Sequence, residues 1–206
     1  MLYYKTIESG TLQLLKELQS NPALQDMRLV GGTGLALQLG HRKSIDLDLF
    51  GLINEPSEDL RDSLMAGHSF QIIKESANIH IYLIDGVKVD LVNYSYQWID
   101  SPLQDNGITI ASINDIAAMK ITAIIGRGTK KDFIDLYFIL KHLSLTEILR
   151  LYMQKYPEGS VFLAIKSLSF FEDAEADPMP LMYEDVSWDQ IKESILQTIE
   201  EYCRHQ

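Results

Sequence analysis

A chain of 206 residues that is 46% hydrophobic and 23% charged, with a net charge of −11, has the makeup of a globular protein long enough for a sizeable core. The acid excess argues against a protein whose main work is gripping long nucleic acid, because that affinity comes largely from cations that neutralise phosphates. One cysteine, Cys203, excludes a disulfide framework or a cysteine zinc site within one chain. No run of about 20 apolar residues is present to span a membrane.

The opening residues, MLYYKTIESG, show no basic region followed by an apolar stretch, so no signal peptide is expected and the cytoplasm is the expected compartment. Residues 6–20 read as an amphipathic helix, with Leu12, Leu15 and Leu18 at helical spacing and Asn21-Pro22 as its stop. Residues 28–32 read as a short strand running into a glycine turn, 33–40 as a helix ended by Gly40, and 45–50 as a strand by alternation. A helix over 57–67 follows, with an N-cap serine and acids in its first turn. Strands are expected at 69–75, 79–85 and 87–94, the last two joined at Asp85-Gly86, a strong hairpin signal. A further short strand fits 107–110.

After about residue 111 the texture becomes helical. Residues 112–143 read as two helices with a glycine-basic break at 126–131, the first capped by Ser112 and Asp115. More helix is expected at 144–155, 159–168 and 187–204, around an acidic, proline-containing loop at 172–186. No internal repeat stands out. The fold class is α+β, a mixed sheet with helices over residues 1–110 followed by a helical half over 111–206. The carboxylates concentrate in 170–201, while Lys120, Arg127, Lys130 and Lys131 form a local basic patch.

The chemistry is concentrated in residues 29–50, LVGGTGLALQLGHRKSIDLDLF. In a strand, positions i and i+2 share a face, so Asp46 and Asp48 are expected side by side, with Ile45, Leu47 and Leu49 turned to the core. Carboxylates roughly 7 Å apart repel one another when partly buried and persist at low cost if a cation stands between them. A hard divalent ion such as Mg²⁺ suits two carboxylates plus substrate phosphates. Asp90 sits in the alternating strand VKVDLVNY on the face opposite Val89 and Leu91, and would complete a three-carboxylate cluster if that strand neighbours 45–50. Gly31 and Gly32 with Thr33 can let a phosphate approach the backbone at a helix start.

Strand, Gly-Gly-Thr, short helix, Asp-x-Asp strand and later Asp strand together resemble the nucleotidyltransferase superfamily with a polymerase-β-like catalytic core. GGTGLALQLGHRKSIDLDLF and the helical AAMKITAIIGRGTKKDFIDLYFIL are similar to the two motifs of the AbiEii-type nucleotidyltransferases, toxins of type IV toxin–antitoxin and phage-abortive systems. The resemblance spans roughly residues 28–142. It implies that Gly31, Gly32 and Thr33 hold nucleotide phosphates, that Asp46, Asp48 and Asp90 bind Mg²⁺ or Mn²⁺, and that Asp90 is the general base. It further implies that Lys120 contacts the triphosphate, with Arg127 beside it, and that an acid of the later motif, Asp132 or Asp135, serves activity. The implied substrate is an NTP, the acceptor a hydroxyl such as that of a tRNA 3′ end or a protein, and the partner a cognate antitoxin.

The residues also admit plainer readings. Lys120 lies among Ala117, Ala118, Met119 and Ile121 and reads by itself as a snorkelling lysine. Arg127 can pair with Asp132. His41-Arg42-Lys43 is either a contact for acceptor phosphate or ordinary exposed loop charge. Tyr94, Tyr96 and Trp98 read as packing residues rather than base-stacking platforms. The rival functions are a nucleotide- or antitoxin-binding module without transfer, and a metal-dependent phosphohydrolase.

Overall fold

In the computed structural model, which describes residues 1–205, alternation drives the centre of the molecule. Strands β1 (Arg28–Leu29), β2 (Leu47–Gly51), β3 (Phe70–Glu75), β4 (Ile79–Ile84), β5 (Val87–Asn93), β6 (Leu103–Asp105) and β7 (Ile108–Ile110) form one sheet in the order β3-β4-β5-β2-β1-β7-β6. The sheet is mixed: β2 runs parallel to β5 and β1 parallel to β7, and the other pairs are antiparallel. Leu47, Leu49, Val89 and Leu91 are fully buried on one face of the central pair. The residues between them point to the other face, which is where the charged side chains lie.

Helices α1 (Ser9–Ser20) and α3 (Ser57–Met65) supply Leu15, Leu18, Leu60 and Leu64 to the core beneath that aliphatic face. Helices α4 (Ile113–Gly126), α5 (Lys130–Leu140), α6 (Leu145–Lys155), α7 (Val161–Leu168) and α8 (Trp188–Arg204) build a second core around Ile121, Phe133, Ile148 and Ile195. Between the two lies α2 (Gly31–Leu39), whose Leu37 enters the first core and Leu35 the second. Among the described residues no helix is long and apolar enough to cross a membrane.

Local chemistry explains the element ends. Asp85 and Gly86 both take positive φ, 49° and 81°, the geometry of the expected hairpin. Asn106 and Gly107 repeat it at 48° and 80° and join β6 to β7; β6 is a strand not expected from the sequence. Ser112 caps α4 through Asp115 N–H at 3.0 Å, and Ser144 and Ser187 form full capping boxes on α6 and α8. Two boundaries differ in ways that matter. Helix α2 starts at Gly31, so the glycine pair lies in its first turn rather than ahead of it. Strand β2 starts at Leu47, and Ile45, expected in the core, is 52% exposed.

Candidate active site

Asp48 and Asp90 are in-register neighbours on the parallel pair β2 and β5. The aliphatic residues flanking them are buried on the opposite face, which fixes both carboxylates on the site face. Burial and then the charge of Asp90 push the Asp48 carboxyl up to about 6, with Lys120, Lys88 and Arg127 acting the other way. Asp90 is met by a cation from its own strand: Lys88 Nζ donates at 2.6 and 2.7 Å to its two oxygens.

The glycine pair makes room for side chains. A Cβ on Gly31, whose φ is +65°, would stand 1.9 Å from Asp48 Oδ2, and one on Gly32 would stand 2.2 Å from an Arg42 guanidinium nitrogen. Thr33, expected on phosphate, is buried at 1% exposure; its hydroxyl lies 2.8 Å from the Ser44 hydroxyl and donates to the Asp46 carbonyl. It pins the 44–46 segment and is not presented to a ligand. Asp46 precedes β2, so the strand alternation that would set it beside Asp48 does not reach it. Its charge acts on Arg42. Among the described residues no three His, Cys, Asp or Glu side chains are gathered as a cation site, so the expected three-carboxylate cluster is not assembled.

The later motif forms a buried ion network. Asp135 accepts from Arg42 Nε at 2.7 Å and Nη2 at 2.9 Å, from His41 Nε2 at 2.8 Å, and from Lys120 at 2.6 Å. Asp132 accepts from Lys120 at 3.0 Å, Thr129 at 2.7 Å, and Arg127 Nε and Nη2 at 2.9 and 3.1 Å. Burial alone would raise both carboxyls. Arg42 and Lys120 overcome it at Asp135, and Lys120 and Arg127 at Asp132, holding both well below the usual carboxylate range. Lys120 is therefore no snorkelling lysine; it is buried and charged, its own burial outweighed by Asp135 and Asp132. His41 and Arg42 are likewise buried, which corrects the reading of 41–43 as an exposed basic spot. Arg127 is the outward member, with its side chain 65% exposed.

A cavity of about 610 Å³ lies beside this network. Gly31, Asp48, Asp90, Lys120 and Arg127 line one part of it; Gly32, Thr33 and Asp46 do not. Phe50, Tyr94, Tyr96, Tyr152 and Tyr156 line another, with Met119 and Glu158. Tyr94 and Tyr96 pack against Phe50, Trp98 and Tyr156 and against each other, as read from the sequence, and also line the cavity. Tyr152 and Tyr156 are 62 and 66 residues downstream of Asp90, and no local signal ties them to it. Lys88 was legible as the same-face neighbour of Asp90 in VKVDLVNY.

The family model described as "Nucleotidyl transferase AbiEii toxin, Type IV TA system" matches residues 13–78 and 66–203. The chain belongs to the AbiEii nucleotidyltransferase toxin family. It is a nucleotidyltransferase. An uncharacterised protein of Aquifex aeolicus (strain VF5) is 34% identical over 201 residues, covering 94% of this chain and 96% of that one. Two solved structures share the fold of this AbiEii-family chain. MenT4, a nucleotidyltransferase toxin from Mycobacterium tuberculosis H37Rv, superposes with a TM-score of 0.61 at 14% identity, over 92% of this chain and 80% of that one. JHP933 from Helicobacter pylori gives 0.60 at 18%, over 97% and 94%.

Proposed function

We propose that this AbiEii-family enzyme transfers a nucleotide from an NTP to an acceptor hydroxyl with the help of a divalent cation, Mg²⁺ or Mn²⁺. The observation that carries this reading is the in-register pair Asp48 and Asp90, facing a cavity that Lys120 and Arg127 also line. The pair fits such a cation. Its donors are hard oxygens, and the like-charge cost at Asp48 is one that a positive charge removes. The Lys88 ammonium on Asp90 marks where positive charge is already accepted. When bound, the cation supplies neutralisation of the triphosphate and of the departing pyrophosphate.

The chain's own residues do the rest. Asp48 and Asp90 would hold the cation. Asp90 takes the proton of the acceptor hydroxyl, whose oxygen attacks the α-phosphorus while the bond to pyrophosphate breaks. Arg127, its fork fixed by Asp132, turns its exposed guanidinium to the triphosphate, and Lys120 adds positive charge from the cavity wall. The backbone at Gly31 approaches the phosphates at the start of α2. Asp132 and Asp135 act by holding Arg127, Lys120 and Arg42 in place. A tRNA 3′ end or a protein is the acceptor class proposed. The biological setting proposed is the cytoplasm, as the toxin of a type IV system with a cognate antitoxin.

The test is transfer of label from each α-phosphate-labelled NTP, with Mg²⁺ or Mn²⁺, onto bulk tRNA and onto protein. Label that disappears in Asp48→Ala, with the thermal transition kept, is the expected result. Turnover retained in that variant would sink the mechanism.

A further inference from the structure

The cavity has two chemically different poles. One carries Asp48, Asp90, Lys120 and Arg127; the other carries Tyr94, Tyr96, Tyr152, Tyr156 and Phe50. An NTP is divided in the same way, with a triphosphate at one end and a flat, weakly hydrated base at the other. Three of the four tyrosines are tied into the protein. Tyr94 and Tyr156 hydroxyls lie 2.7 Å apart. Tyr152 is buried and its hydroxyl accepts from Ser160 N–H at 3.3 Å, in a space that Gly159 leaves open.

Tyr96 is different. It is 48% exposed at the cavity, its ring 5.4 Å from that of Tyr94 and edge-on to Tyr156 at 4.8 Å. Two tethered rings thus hold a third whose own ring stays half open to solvent. The segment carrying it is itself fixed from below. The buried Lys155 binds Asp115 at 2.8 Å and the Gln97 carbonyl at 3.0 Å, while Asp115 accepts from Ile99 N–H at 2.9 Å. An aromatic ring kept exposed on a rigid support is a stacking platform.

We infer that Tyr96, backed by Tyr94 and Tyr156, stacks on the nucleobase of the NTP and is a substrate-binding residue of this enzyme. The inference rests on the proposed transfer from an NTP at the acidic pole. The hydroxyls of Tyr94, Tyr152 and Tyr156 are engaged with one another or with backbone, whereas that of Tyr96 has no partner among the described residues; the contribution inferred for Tyr96 is its ring face. Every base has such a face.

The test measures equilibrium binding of the four NTPs and of inorganic triphosphate to the full chain with Mn²⁺ present. Wild type is compared with Tyr96→Ala, Tyr96→Phe and Asp48→Asn. Tyr96→Ala is expected to weaken each NTP about tenfold and to leave triphosphate unchanged. Tyr96→Phe should bind as wild type does, and in turnover Tyr96→Ala should raise KM for the NTP more than it lowers kcat. Unchanged NTP affinity in Tyr96→Ala, with Asp48→Asn still impaired, overturns the stacking role alone. So does an equal loss for NTP and triphosphate, or an effect confined to KM for the acceptor, which would place the acceptor's base on Tyr96. Failure of wild type to bind any NTP would overturn the transfer reading and this inference with it.

Discussion

Gly31 and Asp48 claim the same space: a Cβ on Gly31 would lie 1.9 Å from Asp48 Oδ2. The first glycine of the pair therefore keeps an acid in position. Gly31→Ala is expected to displace Asp48 and to cost about 1–2 kcal/mol through the positive φ that alanine resists. Transfer should fall by about 100-fold, the effect of an ångström-scale misplacement of a reacting group. Rates and melting temperatures of the variant check this; near-normal turnover would show that Asp48 can move without penalty.

Asp48 gives a pH signature. Its carboxyl is raised to about 6 in the fold, so it favours folding below the unfolded value near 4, and that contribution is lost as pH rises through about 6. In cation-free buffer Asp48→Asn should thus be more stable than wild type at pH 7, by up to about 3 kcal/mol, with the advantage fading towards pH 4. Asp132 and Asp135 have the opposite sign: their contribution is present above about 4 and lost in acid in both proteins. Melting curves of the two proteins from pH 4 to 7 measure the difference, and a gap independent of pH would contradict the assignment.

Removing Asp135 leaves Arg42 buried without its bidentate partner and Lys120 with Asp132 alone. Asp135→Asn is expected to lose about 3–5 kcal/mol, seen as a large drop in denaturation midpoint. Arg127→Ala should cost about 1 kcal/mol or less, because Arg127 is largely exposed and Lys120 and Thr129 remain on Asp132. Its loss should be felt in NTP affinity. Equal destabilisation by the two changes would mean that the network does not divide between scaffold and site in this way.

Lys88 competes with any cation for Asp90. Lys88→Met should strengthen Mn²⁺ binding in the absence of nucleotide, with stability lowered by about 1 kcal/mol or less, since Lys88 is 41% exposed and Asp90 19%. Titration by calorimetry or by manganese resonance would show it; weaker binding in the variant would instead make Lys88 a support for the acid it touches.

Asp48 and Asp90 were legible in the sequence because each interrupts an aliphatic alternation, and a period of two leaves no choice of face. That their strands are neighbours is a matter of topology, and alternation is silent on it. Asp46 shows the limit: the same alternation reads through Ile45, but the strand begins two residues later, and the Asp46 carbonyl accepts from the Thr33 hydroxyl instead of joining the sheet. The sequence displays a hydroxyl at Thr33 and three basic residues at 41–43 without showing that Ser44 and Asp135 already engage the hydroxyl, His41 and Arg42. Strand β6 was more accessible, since Asn106-Gly107 is the same kind of turn signal as Asp85-Gly86. Tyr152 and Tyr156 carried no signal, for helical spacing assigns a tyrosine to a face but not to the partner across it.

Several contacts of residues 41–43 are made with parts of the chain far downstream. Arg42 meets Asp135, Lys43 N–H donates to the Leu181 carbonyl at 2.8 Å, and Tyr183 N–H donates to the His41 carbonyl at 2.9 Å. When the Asp48 strand has been synthesised, Glu8, Thr6 and Thr33 are already present to hold Lys43, Ser44 and Asp46, but the downstream partners of His41 and Arg42 are not. The 41–43 segment acquires its buried counter-ion only when α5 has emerged, and its backbone cover only after residue 183. Vectorial synthesis thus leaves Arg42 without its carboxylate until α5 is made, so the segment before the Asp48 strand is completed late.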